Sequence, residues 1–248
     1  MTATQRTRRQ RLDTLLVERG LAPTRERARA LILARDVLVD GTPAARPAEA
    51  IREDAEVSIR AAAPFVSRGG EKLAHALDRA GIDPRGLRCL DVGASTGGFT
   101  DCLLQRGAAG VVAVDVGYGQ LAQRLRDDPR VEVRERVNAR ALPPLDPPAD
   151  LATIDVSFIS LTTVLPAVVA SVRPGARILA LVKPQFEAGR AEVGRGGVVR
   201  DPLVHAACVG RVAVWAVRHG LRVRGVVRSP LLGPAGNQEF FLVLERRN

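Results

Sequence analysis

The chain has 248 residues, a formal net charge of +10 and a pI near 11.0. Hydrophobic residues make up 46%, so disorder is not the default and a sizeable core can be buried, enough for one large and one small packed domain. No apolar run approaches the roughly 20 residues that span a bilayer, and the basic start, Met1 to Arg11, leads into no apolar signal segment. The expectation is a soluble, cytoplasmic protein with no membrane role and a polyanionic partner.

Residues 11–19 are predicted as a short helix, with Leu12, Leu15 and Leu16 at helical spacing and Gly20 ending it. Thr24 is a suitable N-cap for a second helix over 25–35, whose apolar face is Ala28, Leu31 and Ile32. Val37 to Val39 forms a strand, Asp40-Gly41 a hairpin turn, and a further strand lies near Glu56 to Ile59. Nine arginines against three acids stand between Arg6 and Arg35, so this is a compact basic unit over residues 1–60. The candidate RNA contacts are Arg8, Arg9, Arg11, Arg25, Arg27, Arg29 and Arg35.

The order Arg11-Leu12-Asp13, Leu15-Leu16, Arg19-Gly20-Leu21, Thr24-Arg25, Arg27-Ala28, Leu31-Ile32 and Val37 to Gly41 resembles the alpha-L RNA-binding domain. The resemblance covers about residues 10–60 and implies RNA binding. One departure is Arg35, where that family usually has glycine before the strand.

Residues 61–66 read as a linker. Beyond it, from residue 67 to 248, apolar strands are expected at 87–92, 110–116, 131–137, 150–156, 176–183, 221–227 and 240–244, with helices between most of them. Such alternation means an α/β domain, a Rossmann-like parallel sheet covered on both faces. The last two strands, joined by the loop 229–237, suit an antiparallel pair at the sheet edge.

Asp91, Gly93, Ala94, Ser95, Thr96, Gly97, Gly98 and Phe99 run from a strand through a glycine-rich turn into a helix, at the carboxyl end of the sheet where nucleotides bind. Asp115, 22 residues after Gly93, ends the next strand, where an acid can accept both hydroxyls of a ribose. A dehydrogenase shares this logic, but Gly-x-Ser-x-Gly-Gly lacks the glycine that a pyrophosphate would press against. An acid ahead of the first glycine suits S-adenosylmethionine better, with Asn138 a weaker candidate for its adenine or ribose. The three cysteines, Cys89, Cys102 and Cys208, have no metal-ligand spacing and read as buried small hydrophobes, so no metal is expected.

Of the 37 basic residues only Lys72 and Lys183 are lysine, which leaves 35 arginines. An arginine cannot lose its proton in a protein, whereas a lysine can be tuned to do so. Asp155 and Lys183 end apolar strands, Glu239 opens the last one, and Lys72 is placed before the helix that precedes strand one. A ribose 2′-hydroxyl needs its proton removed, and a lysine does this once its pKa falls from about 10.4 to about 7–8. Lys183 is the expected base, Lys72 its neighbouring cation and positioner, and Asp155 and Glu239 their orienting acids, all four in one cluster.

This Lys-Asp-Lys-Glu set, with Asp91 to Thr100, is similar to the FtsJ-type ribose methyltransferases. Together with the basic N-terminal unit and Gly196 to Asp201, it resembles the TlyA or hemolysin-A-like family over nearly the whole chain. The resemblance implies 2′-O-methylation of cytidine in ribosomal RNA, of the large subunit and in some members also the small, with ribosomal subunits as partners. Rival readings are a non-catalytic ribosome-assembly factor, a membrane-active hemolysin and a small-molecule methyltransferase. The glycine- and arginine-rich stretch 189–197 is expected either as a loop closing over RNA, with Arg190, Arg195 and Arg200 on phosphates, or as an ordinary surface connection.

Overall fold

The computed structural model describes residues 8–60 and 64–247, and the chain divides into two compact units, Met1–Ala63 and Pro64–Asn248. Of the expected linker, residues 61–63 lie outside the described residues, as do residues 1–7 of the basic start. Pro64 to Val66 belong to the second unit, where the Val66 N–H donates to Asp101 at 2.8 Å.

The first unit runs β1 (Arg9–Arg11), α1 (Leu12–Glu18), α2 (Arg25–Leu33), β2 (Val37–Val39), β3 (Thr42–Pro43), β4 (Ala50–Arg52) and β5 (Val57–Ile59). Leu12, Leu15, Leu16, Ala28 and Ile32 pack into one small core between the helices and Val37. The Thr24 hydroxyl accepts the Arg27 N–H at 3.2 Å, the cap that its position implies. Asp40 and Gly41, at φ +48° and +77°, turn β2 into β3 in two residues. The pairing of β1 with β4 was not legible, because three-residue strands carry too little periodicity. Arg35 sits at φ +60°, the left-handed region that glycine enters freely and arginine only at a cost of about 1–2 kcal/mol.

The second unit contains α3 (Gly69–Ala80), β6 (Arg88–Val92), α4 (Gly98–Gln105), β7 (Gly110–Val114), α5 (Gln123–Arg126), β8 (Val131–Arg134), β9 (Ala149–Ile154), α6 (Leu161–Ser171), β10 (Val172–Val182), α7 (Pro184–Glu187), α8 (Pro202–Arg218), β11 (Leu221–Arg228) and β12 (Phe240–Arg246). Its seven-stranded sheet has the order β11-β12-β10-β9-β6-β7-β8, all parallel except β12. The final strands are antiparallel as expected, but the last one inserts between β10 and β11, so the penultimate strand is the edge.

Apolar side chains leave the sheet on both faces, which parallel strands require. On one face Leu73, Leu77, Phe99, Leu103 and Phe241 pack with α3 and α4; on the other Val164, Leu165, Val168, Cys208 and Val212 pack with α6 and α8. Cys89, Cys102 and Cys208 are all buried, and burial pushes the Cys89 and Cys102 thiols up to about 12. They are inert packing groups. No helix among the described residues is long and apolar enough to cross a membrane.

Candidate active site

The glycine turn leaves β6 at Gly93, whose φ of +85° only glycine adopts readily. A Cβ there would lie 2.4 Å from the Asp155 carbonyl oxygen, so the turn rests directly on the chain leaving β9. The Asp155 N–H in turn donates to the Val92 carbonyl at 2.9 Å. Glycine at this position thus keys the turn to the acid that follows β9.

Two adjoining clefts open at this edge. One, of about 570 Å³, is walled by Gly93, Ser95, Asp115, Val116, Asn138 and Asp155, among others. The second, of about 420 Å³, has Lys72, Gly93, Ala94, Thr96, Gly98, Phe99 and Asp155 in its wall. Gly93, Ser95 and Asp155 are common to both, so the clefts form one elongated site with Asp155 at the junction.

Asp115 accepts the Ser95 N–H at 2.8 Å on one oxygen and the Gly117 N–H at 2.7 Å on the other. Each carboxylate oxygen has a further lone pair to offer a ligand. Asn138 lines the same cleft while its side chain caps the turn at Arg140, accepting that N–H at 3.1 Å.

Asp91 and Gly97 do not line either cleft. Asp91 is fully buried and accepts from Thr100 Oγ1 at 2.7 Å and Thr153 Oγ1 at 3.0 Å, which staples β6 to α4 and β9 behind the turn. Burial outweighs these hydroxyls and pushes its carboxyl up to about 6. Gly97, at φ +98°, instead faces Leu121 and Leu125, where any side chain would collide. Both residues shape the turn from outside the cleft.

The four charged candidates form two pairs rather than one cluster. Lys72 Nζ donates to Glu239 Oε2 at 2.5 Å, and Lys183 Nζ meets Asp155 Oδ1 at 2.7 Å and donates to Ser157 Oγ at 2.9 Å. No ion pair within 4.0 Å joins Lys72 to Asp155 or Lys183 to Glu239 among the described residues. The pairs are nonetheless linked, because Lys72 and Asp155 stand in the walls of one cleft. Lys72 lies in the first turn of α3, not ahead of it, because Gly69 and Gly70 already belong to the helix. Gly70 must be glycine there, since a Cβ would fall 2.2 Å from the Phe65 ring.

Ser157, Ser67 and Arg68 join the site without having been singled out by the sequence. Ser157 stands two residues after Asp155, which in an extended segment returns a side chain to the same side; that spacing was the available signal. Ser67 and Arg68 line the cleft, where Asp101 holds the preceding Val66 against α4 and the Ser67 carbonyl accepts the Gly70 N–H at 3.1 Å.

In the first unit, Arg11 and Arg25 both bind the buried Asp13, at 2.7 and 3.2 Å. Their guanidinium groups hold that carboxyl well below the usual range, although both remain half exposed. Arg8 pairs with Glu53 at 3.5 Å. Arg9, Arg27, Arg29 and Arg35 are exposed and make no ion pair among the described residues. The stretch 189–197 forms two short 3-10 turns, anchored where buried Asn237 donates to the Gly197 carbonyl and accepts the Val199 N–H, both at 2.9 Å.

The FtsJ-like methyltransferase family model matches residues 65–246, and the S4 domain model matches residues 10–57. The chain is 53% identical over 241 residues to the 16S/23S rRNA (cytidine-2′-O)-methyltransferase TlyA of Mycobacterium tuberculosis, covering 96% of this chain and 90% of that protein. It is 36% identical over 233 residues to Hemolysin A of Brachyspira hyodysenteriae, covering 93% and 97%. The solved structure of a Streptococcus thermophilus protein described as a hemolysin superposes with a TM-score of 0.75 at 41% identity, covering 98% of this chain and 90% of that one.

Proposed function

The chain belongs to the TlyA/hemolysin A-like family of rRNA methyltransferases, and from that premise we propose that it transfers the methyl group of S-adenosylmethionine to the 2′-hydroxyl of a cytidine ribose in ribosomal RNA. The observation that carries the reading is Asp155, which stands at the junction of both clefts and holds Lys183 at 2.7 Å.

The cofactor fits the residues present. Asp115 has carboxylate lone pairs for a ribose diol, and exposed Val116, with Val137 and Ile159, offers an apolar wall for an adenine. Gly93 and Gly98 leave no side chain between the turn and the cleft. When bound, S-adenosylmethionine supplies an electrophilic sulfonium methyl. The protein's task is then to align the hydroxyl and remove its proton.

Lys183 Nζ, in its neutral amine form, takes the proton of the 2′-oxygen as that oxygen bonds to the methyl carbon and the carbon–sulfur bond breaks, its electron pair leaving with the thioether. Asp155 and Ser157 orient the amine, and Asp155 balances the charge it acquires. Lys72 keeps N–H donors beyond the one given to Glu239, and these face the cleft to hold the ribose. Glu239, fully buried, locks that amine in place.

The distribution of arginines suits an RNA partner. Arg68, Arg140, Arg190, Arg195, Arg200 and Arg228 lie toward the carboxyl edge, and none meets a carboxylate within 4.0 Å among the described residues. At the opposite edge Arg88, Arg173, Arg177 and Arg222 are all ion-paired. The unpaired guanidinium groups of the carboxyl edge stand where they can meet the phosphates of a bound RNA.

The test is transfer of labelled methyl to protein-free ribosomal RNA and to purified ribosomal subunits, with a liposome-leakage arm beside it. Ribose methylation is expected, with no leakage. Lys183→Arg keeps the charge but removes the base, and should lower single-turnover methylation by at least about 100-fold with cofactor binding retained. Undiminished methylation by that variant would reject the base assignment; leakage without methylation would reject the function.

A further inference from the structure

A groove of about 650 Å³ lies between α8 and the β11–β12 edge, outside the cofactor and catalytic clefts. Its floor is apolar: Val209, Val226 and Phe240, with Val226 51% exposed. Its rim carries Arg200, Arg228 and His205, and no carboxylate lines it. From this arrangement, resting on the RNA-methylating reading above, we infer that the groove takes the base of a nucleotide flanking the methylated one, with Arg200 and Arg228 on the adjoining phosphates.

Four observations favour this occupant. A nucleobase has flat apolar faces for the floor, and its backbone supplies the anions that the two guanidinium groups lack. An apolar peptide would cover the floor and leave those charges uncompensated. Arg228 is also held ready. Its Nε donates to Gln238 Oε1 at 2.7 Å, while the Gln238 amide donates to the Ser229 and Glu239 carbonyls at 3.1 and 3.0 Å. The other guanidinium nitrogens of Arg228 make no hydrogen bond among the described residues.

The groove and the catalytic pair share one strand entrance, although no residue lines both the groove and a cleft. Gln238 and Phe240 line it, while Glu239 between them turns to the other face and binds Lys72. One strand entrance therefore builds the catalytic pair on one side and the groove on the other. Finally, Gly210 lies inside α8, where glycine is a poor helix former, and a Cβ there would meet nothing within 4 Å. Packing does not require this glycine. It keeps the groove wall open.

Gly210→Leu in the full chain tests the inference, because leucine improves the helix while its side chain projects into the groove. The thermal midpoint should hold or rise. The Kd for a labelled, protein-free ribosomal RNA fragment spanning the mapped methylation site should rise about tenfold or more. Single-turnover methylation at saturating enzyme should be unchanged. An abasic nucleotide beside the target should weaken wild-type binding similarly and add little to Gly210→Leu, since both remove one contact. Unchanged RNA affinity in Gly210→Leu overturns the inference, as does an effect seen with ribosomal subunits but not protein-free RNA, which would indicate a protein segment. Independent, multiplying effects of the two changes overturn it as well. A wild-type chain inert on RNA would remove the function and this inference together, whereas an active wild type with an indifferent Gly210→Leu removes the groove alone.

Discussion

The two lysines form chemically identical ion pairs in different surroundings. The side chains of Lys72 and Glu239 are 8% and 1% exposed, those of Lys183 and Asp155 12% and 23%. In the first pair the acid is sealed and depends on its cation, while Lys72 still stands in a cleft wall; Glu239 Oε1 has no hydrogen-bond donor among the described residues, and Gly233 lies so close that a Cβ would sit 2.5 Å from that oxygen. In the second pair the acid is the more open partner, standing in the wall of both clefts although its Oδ1 is buried against Lys183, and Lys183 also donates to the Ser157 hydroxyl. A sealed carboxylate can only fix its amine; an open one also faces the cleft.

The strongest break of this comparison is to remove one cation from each pair. Lys72→Met leaves an unpaired buried carboxylate and should cost about 3–5 kcal/mol. Lys183→Met, at the less buried pair, should cost less, about 1–3 kcal/mol. Denaturant unfolding of the two variants side by side checks the contrast, and equal losses would erase it. Adding Glu239→Leu to Lys72→Met should return most of the lost stability while methylation stays impaired.

A buried carboxylate without a cation sharpens the point. Asp91 has two threonine hydroxyls and the Thr100 backbone N–H but no cation among the described residues, and burial raises its carboxyl from 3.8 to about 6. With the folded value above the unfolded one, the native state binds more protons, so this group's contribution is full below about pH 4 and is lost as pH rises through 6. The loss is on the order of 3 kcal/mol for about two units. Asp91→Asn, which keeps one acceptor and gains a donor for the second hydroxyl, should flatten stability between pH 4 and 6. Thermal melts across that range show it, and an unaltered profile would mean that Asp91 is not the titrating group.

Asp13, buried between Arg11 and Arg25, is the opposite case. Its carboxyl is lowered, first by the Arg11 hydrogen bond, so its contribution is present above the ordinary carboxylate range and disappears as pH falls through the lowered value. Because both arginines are half exposed, Asp13→Asn should cost only about 1–2 kcal/mol, confined to the first unit. Hydrogen exchange resolved by unit measures it; equal loosening of both units would contradict the assignment.

The smallest effect concerns Arg35. Relief of its left-handed backbone in Arg35→Gly should stabilise the first unit by no more than about 1 kcal/mol, after the entropy glycine loses on folding. If Arg35 contacts RNA, affinity should fall while the melting temperature does not.

Much of this molecule was readable in one dimension. Strand and helix alternation, the turn from Asp91 to Phe99, Asp115 and the rarity of lysine are local or compositional signals, and they suffice for an α/β nucleoside-binding sheet with charged groups at its carboxyl edge. Tertiary packing alone decided the rest. Whether a carboxylate lines a cleft or staples the sheet behind it depends on which side of the backbone meets the core, and so Asp91 and Asp115 part ways. The pairing of Lys72 with Glu239, 167 residues apart, follows from β12 inserting inside the sheet, a choice that no local pattern encodes. The open wall at Gly210 is likewise defined by what surrounds a helix, and sequence periodicity carries no record of the space left empty around it.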